Sequence, residues 1–145
     1  MSNFPSREDY EHLVYSLPQE HPEIAFSSLH LYTTGRGTAL LRGNIGFRSG
    51  LRLRVFETLD FVAGCISDYS YDVLRNDEPV RWYDPQPHPE NPVLASTFPH
   101  HRHEPPALKD NRRPAPGISF TAWNLPTLIS DCIELGKTSL GNARP

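Results

Sequence analysis

Between Arg81 and His103 the chain gathers the side chains best suited to moving protons or holding ions. It reads Arg81-Trp82-Tyr83-Asp84-Pro85-Gln86-Pro87-His88-Pro89-Glu90 and then, after a short gap, Thr97-Phe98-Pro99-His100-His101-Arg102-His103. Residues two apart in an extended chain point the same way. His101 and His103 are therefore expected to project together, with His100 and Arg102 on the other side and His88 able to join either pair through the loop. Imidazole changes charge near neutral pH without tuning, and several of them beside an arginine suit acid–base work on a phosphate ester. On that reading His101 and His103 are acid and base, Arg81 or Arg102 holds the phosphate, Tyr83 orients it, and Asp84 fixes a histidine tautomer. Two other readings fit the same residues. Two histidines at i and i+2, with His88, Asp84 or Glu104, are enough donors for zinc or another divalent metal; His88, His101 and His103 are the set if one is bound. The segment has no cysteine and matches no known zinc spacing, so no cofactor is expected. The plainest reading is a surface loop stiffened by proline and held in place by histidine hydrogen bonds.

The elements that must position these residues are legible on either side. Ser6 and Asp9 have capping-box spacing, and Tyr10, Leu13, Val14 and Leu17 follow at helical intervals. Pro18 is expected to stop that helix, with a linker from Gln19 to Pro22. From Ser27 the period becomes two. Leu29 and Leu31 share a face of a first strand, a second runs from about Thr38 to Phe47, and a third from about Leu51 to Asp60. A three-residue loop at Arg48-Ser49-Gly50, with Gly50 left-handed, sets Phe47 opposite Leu51 and Ile45 opposite Leu53. A two-residue loop would pair Phe47 with Arg52 and is rejected. A fourth strand spans about Cys65 to Leu74, and a short fifth runs from Val80 to Tyr83.

Nine of the 15 prolines and four of the seven histidines then fall between Arg81 and Pro116. Residues 85–118 are read as a long Pro/His-rich functional loop, since proline disfavours helix and central strand alike. Asn124 caps a last helix whose stripe is Leu125, Leu128, Ile129, Cys132 and Ile133. Gly136 ends it, and 137–145 is a frayed tail. The class is α+β: an antiparallel meander of about five strands packed with an N-terminal and a C-terminal helix, in one domain over 1–145. A domain of this length buries roughly 68–70% of its unfolded surface and needs neither disulfide nor metal to fold. Cys65 and Cys132 read as reduced thiols.

A second feature lies in the meander. Residues 35–54 hold five arginines (Arg36, Arg42, Arg48, Arg52 and Arg54) and no acid. The register above puts Arg42, Asn44, Arg52 and Arg54 on the face opposite the apolar one, with Phe56 beside them. This is either a solvated outer face or a surface for RNA backbone or a protein partner. Glu57 falls in line with the apolar face, where a carboxylate must be paired. Asp68, Asp72, His12, His21 and His30 read as surface residues. Net charge is −3, which excludes coating nucleic acid by overall charge but allows a local basic patch. No apolar run approaches the ~18 residues of a membrane helix, and Met1–Pro5 lacks signal-peptide character. The expectation is a cytoplasmic protein.

These motifs resemble the TumE family, described as toxins of bacterial toxin–antitoxin pairs. That family shows Arg-Tyr-Asp-Asn, then Pro-His-His-Pro, then Thr-Phe-Pro-His-His-Lys-His, and later an acidic helix. The matching residues are Arg81, Tyr83 and Asp84; Pro87, His88 and Pro89; Thr97 to His101 and His103; and Leu125-Pro126-Thr127-Leu128 at the helix start. The similarity covers about residues 27–136. Trp82 interrupts the first run, one histidine of the second is missing, the loop to Thr97 is longer, and Arg102 stands for lysine. The resemblance implies a cytosolic toxin with a cognate antitoxin, a helix-turn-helix protein being the expected type. It assigns no catalytic residue. Three functions follow for test: an RNA-directed, metal-independent ribonuclease; a protein- or RNA-binding module acting by occlusion without turnover; and a metal-dependent hydrolase built on the histidines.

Overall fold

A computed structural model describes residues 4–142. Helix α1, Arg7–Tyr15, starts at Ser6, whose hydroxyl accepts from the Asp9 amide at 3.1 Å. Tyr10 and Val14, four apart, are its buried residues. The helix ends at Tyr15, before Pro18, but the expected linker from Gln19 is helical over its first two residues. A short helix α2, Leu17–Glu20, follows, with Pro18 in its first turn, where the missing N–H would have had no partner. The strands are β1 (Ile24–Ser27), β2 (His30–Gly35), β3 (Thr38–Phe47), β4 (Leu51–Asp60), β5 (Cys65–Arg75), β6 (Glu78–Asp84), β7 (His101–His103) and β8 (Arg112–Pro114), before helix α3, Leu125–Asn142. They form one antiparallel sheet in the order β1-β3-β4-β5-β6-β7-β8, with β2 also paired to β3.

The class is α+β as expected, with eight strands rather than about five. The expected first strand, from Ser27, is β2, and an additional strand, β1, precedes it. They part at Ser28, whose hydroxyl accepts from the Asn44 amide at 2.9 Å in place of a ladder bond. The hairpin register holds: Ile45 is opposite Leu53, Asn44 opposite Arg54, and Gly50 has φ 98°. That φ is one that glycine adopts without a Cβ penalty.

The stretch 85–118 is not continuous loop. It holds a 3-10 helix, Pro92–Thr97, capped by Asn91, and the strands β7 and β8. Proline is compatible with β8 because that strand is the sheet edge. Gly136 does not end α3, which runs on through Asn142; the expected frayed tail is therefore helical over 137–142, and 143–145 lie outside the described residues. A Cβ at Gly136 would stand 2.7 Å from Ser49 Oγ and 2.9 Å from Ser49 Cβ. The glycine is there for close approach of the helix to the β3–β4 loop.

The apolar face of the sheet carries Leu41, Ile45, Leu53, Val55, Tyr71 and Val73, all 1% exposed or less. It packs in one cluster with Tyr10 and Val14 of α1 and with Leu125, Leu128, Ile129 and Cys132 of α3. Full burial of one such side chain contributes about 1.5–3 kcal/mol. Cys65 and Cys132 are free thiols, and burial pushes the Cys132 thiol up to about 12. Among the described residues no helix is long and apolar enough to cross a membrane.

Candidate functional site

The short strand β7 is what brings the histidines to order. It pairs with β6 so that His103 is opposite Trp82, Arg102 opposite Tyr83, and His101 opposite Asp84. Strand alternation then sends Trp82, Asp84, His101 and His103 to the outer face, and Arg81, Tyr83, Arg102 and Glu104 to the face that meets the helices.

On the outer face three groups converge. His101 Nε2 lies 3.1 Å from Asp84 Oδ1, His103 Nε2 lies 3.2 Å from Asp84 Oδ2, and the two Nε2 atoms are 3.2 Å apart. His101 is 1% exposed and His103 4%. The Asp84 carboxylate is the more open end, with its side chain 29% exposed and its Oδ1 accepting from the Gln86 amide at 2.9 Å. The far sides of both rings are fixed: His101 Nδ1 faces the Pro99 carbonyl at 3.2 Å, and His103 Nδ1 faces the Leu108 carbonyl at 2.6 Å. A carbonyl can only accept, so each Nδ1 carries a proton. In a neutral ring the Nε2 then presents a bare lone pair to the cluster. Burial lowers the His101 pKa, against the Asp84 charge and the Pro99 carbonyl, which raise it; His103 and His88 lower it further. Asp84, His101 and His103 are the His/Cys/Asp/Glu group among the described residues whose donor atoms lie close enough to share an ion.

Other candidates stand nearby or on the far side. The ring of His88 meets that of His101 edge-on, with centroids 5.1 Å apart, and its Nδ1 is 3.4 Å from Glu90. It lies next to the cluster but outside its donor set, so Asp84 takes the third place expected for His88. His100 turns away: its Nδ1 is 2.6 Å from the Tyr69 hydroxyl and its ring packs on Phe120.

Arg81, Tyr83 and Arg102 join a network on the helix side. The Tyr83 hydroxyl donates to Asp131 at 2.8 Å, Arg81 donates to Glu104 at 3.0 Å, and Arg102 reaches Glu104 at 3.2 Å and Asp131 at 3.6 Å. Burial opposes ionisation of Glu104, but Arg102 and Arg81 outweigh it and hold its carboxyl below the usual range. Burial pushes the Tyr83 phenol up, and the Asp131 charge adds to this. This network clamps β6 and β7 to α3 directly behind the histidine cluster.

The expected basic stripe lies on the same outer face as the cluster. Successive pairings run Asn44–Arg54, Arg54–Asp72, Asp72–Trp82, Trp82–His103 and His103–Arg112. One transverse row thus crosses six strands from the stripe to the histidines. Arg52 is tied to Asn44 and Asp77, each at 2.7 Å, and Arg54 to Asp72 at 3.1 Å. Arg42 and Arg54 remain exposed, and with Asn44, Phe56, Ser70 and Asp72 they line a hollow of about 220 Å³.

Sequence reasoning missed Asp131, Trp82 and Arg112. Trp82 stacks on His103, with centroids 4.5 Å apart and planes 25° apart. Its signal was the period of two that puts it on the face of Asp84. Asp131 had no signal in its own segment, since its partners come from β6 and β7. The buried Glu57, expected to be paired, accepts from the hydroxyls of Tyr10 and Tyr71.

No curated protein and no solved structure matches the chain. The family model described as Toxin TumE matches residues 12–135, which takes in the meander, the histidine cluster and most of α3. The chain belongs to the TumE toxin family.

Proposed function

We propose that this toxin acts in the cytoplasm on RNA, holding the strand across the outer face of the sheet and cleaving it at the Asp84–His101–His103 cluster. The observation that carries this reading is the transverse row, in which Asn44, Arg54 (paired with Asp72) and Trp82 lie on one face and lead across the strands to the imidazoles. Arg42, Arg52 and Arg54 meet the phosphates, with Asn44 as a further polar contact, while Phe56 and Trp82 offer rings on which bases stack. Cleavage beside a 2′-hydroxyl needs a group to take its proton, one to protonate the leaving oxygen, and positive charge for the phosphate. The cluster handles the protons, and Arg112 beside His103 supplies charge. Arg81, Tyr83 and Arg102 act as positioning residues from behind the strands. The family implies an antitoxin partner; the type proposed for it is a helix-turn-helix protein.

The test uses purified protein and a mixed-sequence single-stranded RNA. Binding should weaken as salt rises. Arg52→Ala with Arg54→Ala should flatten that slope by about one for each lost phosphate contact. His103→Ala should keep binding and lose cleavage. RNA that binds but stays intact would replace cleavage with occlusion. Binding that ignores both salt and the double substitution would remove RNA from the reading.

A further inference from the structure

We infer that Asp84, His101 and His103 form a binding site for one divalent transition-metal ion of the zinc class. The inference rests on the reading above for its purpose, since it gives that centre a charge and an activated water, but its evidence is independent. The backbone fixes the tautomers. Both Nδ1 atoms are committed to carbonyl acceptors, at 3.2 Å and 2.6 Å, so in neutral rings both Nε2 lone pairs point inward. There they meet each other at 3.2 Å and a carboxylate that presents one oxygen to each. Three acceptors thus converge at the end of two nearly fully buried rings. One shared proton can serve a single N–O contact and leaves the others facing lone pair to lone pair. A cation serves all three at once.

The dimensions agree. Two nitrogens about 2.0–2.1 Å from a common ion stand about 3.3–3.4 Å apart at a tetrahedral angle and about 2.9 Å at a right angle. The observed 3.2 Å falls between these values. A histidine that donates its second ring nitrogen to a backbone carbonyl is also the usual outer support of a metal-bound imidazole, because it fixes the tautomer and the ring plane. Two imidazoles and one carboxylate leave at least one coordination position open, the pattern of catalytic rather than structural sites. The partly exposed carboxylate places that opening toward solvent.

The experiment uses the full chain without a histidine tag, stripped with chelator and titrated calorimetrically with zinc chloride, then with cobalt(II) chloride. One ion per chain is expected. Cobalt should give the visible absorption of a low-coordinate nitrogen–oxygen site and quench the fluorescence of Trp82, which stacks on His103. Asp84→Asn and His103→Ala should each weaken binding at least tenfold. His12→Ala with His21→Ala, away from the cluster, should leave the affinity unchanged. Should the cluster variants fail to fold, the unaltered protein still decides: histidine nitrogen spectra should shift at two Nε2 atoms on adding zinc, with both Nδ1 protons retained. Failure to bind either ion at 100-fold excess over protein overturns the inference, as does binding that survives Asp84→Asn and His103→Ala. RNA cleavage by chelator-stripped protein that also binds neither ion would overturn the metal and leave the RNA reading standing. Metal binding by a protein that neither binds nor cleaves RNA would do the reverse.

Discussion

Glu57 is the most exacting test of the core. Its carboxylate is fully buried on β4. It accepts from Tyr10 on α1 and, at 2.5 Å, from Tyr71 on β5, whose hydroxyl accepts in turn from Asn124 Nδ2 at 3.0 Å. One carboxylate thus ties α1, two strands and the start of α3. Burial pushes its pKa up, and the two hydroxyls, which pull it down, do not fully offset this. The folded state therefore holds the proton more tightly than the unfolded chain. Stability should fall as pH rises from about 4.3, the unfolded value, through the raised folded value, with a slope no steeper than about 1.4 kcal/mol per pH unit.

Two substitutions separate charge from packing. Glu57→Gln keeps the shape and removes this proton linkage, so its stability relative to wild type should improve from pH 5 to pH 8. Glu57→Ala takes the acceptor from two buried hydroxyls, each worth about 1–3 kcal/mol when left unsatisfied. Asn124 donates to Tyr71 and cannot replace the lost acceptor, so a total loss of about 2–6 kcal/mol is expected. Urea unfolding followed by tryptophan fluorescence measures both, since Trp123 packs edge-on to Tyr10 with centroids 6.1 Å apart. Two other groups titrate with the opposite sign. Burial lowers the His101 pKa, so its contribution rises with pH below about 6.5. The Glu104 carboxyl is held low, so its contribution is lost below about 4.3. Both are present in variant and parent and cancel in the difference. A Glu57→Ala loss under about 1 kcal/mol, or a Glu57→Gln profile parallel to wild type, would refute the reasoning.

Gly136→Ala should reverse the usual sign for a helix interior. Alanine normally gains about 1 kcal/mol over glycine there, but here its Cβ would crowd Ser49; a loss of about 1–3 kcal/mol is expected, largely recovered in a Ser49→Gly background, as read by thermal unfolding. Tyr83→Phe removes the hydrogen bond to Asp131 at 2.8 Å and should cost about 1–2 kcal/mol in urea unfolding. If RNA cleavage instead drops with stability unchanged, Tyr83 touches the substrate rather than bracing β6.

The meander was legible because two signals agreed. Alternation placed Leu41, Ile45, Leu53 and Val55 on one face, and Gly50 fixed the turn length that sets their register. The capping serine and the apolar stripe of α3 were legible for the same reason: each is a local pattern. The i, i+2 spacing separated His101 and His103 from His100 and Arg102 correctly. What did not show was anything assembled across distant segments. Asp84 and His101 become neighbours only through a pairing of β6 with a three-residue strand too short to carry a periodic signal. The prolines around it favoured a loop, yet edge strands tolerate proline. Gly136 read as a helix stop because its true constraint, Ser49, lies 87 positions earlier in the chain.

The strand lengths across the sheet bear on how the protein behaves in a crowded solution. The long strands, β3, β4 and β5 at 10, 10 and 11 residues, are all internal, where both rows of backbone groups are occupied. One border is β8, three residues long and closed by Pro114, which has no N–H to offer, behind two arginines. The other border is divided between β1 and β2, of four and six residues, interrupted at Ser28. Short length, proline and positive charge are the devices that keep an open border from templating a foreign strand. The molecule therefore presents no long, flat border along which copies would stack.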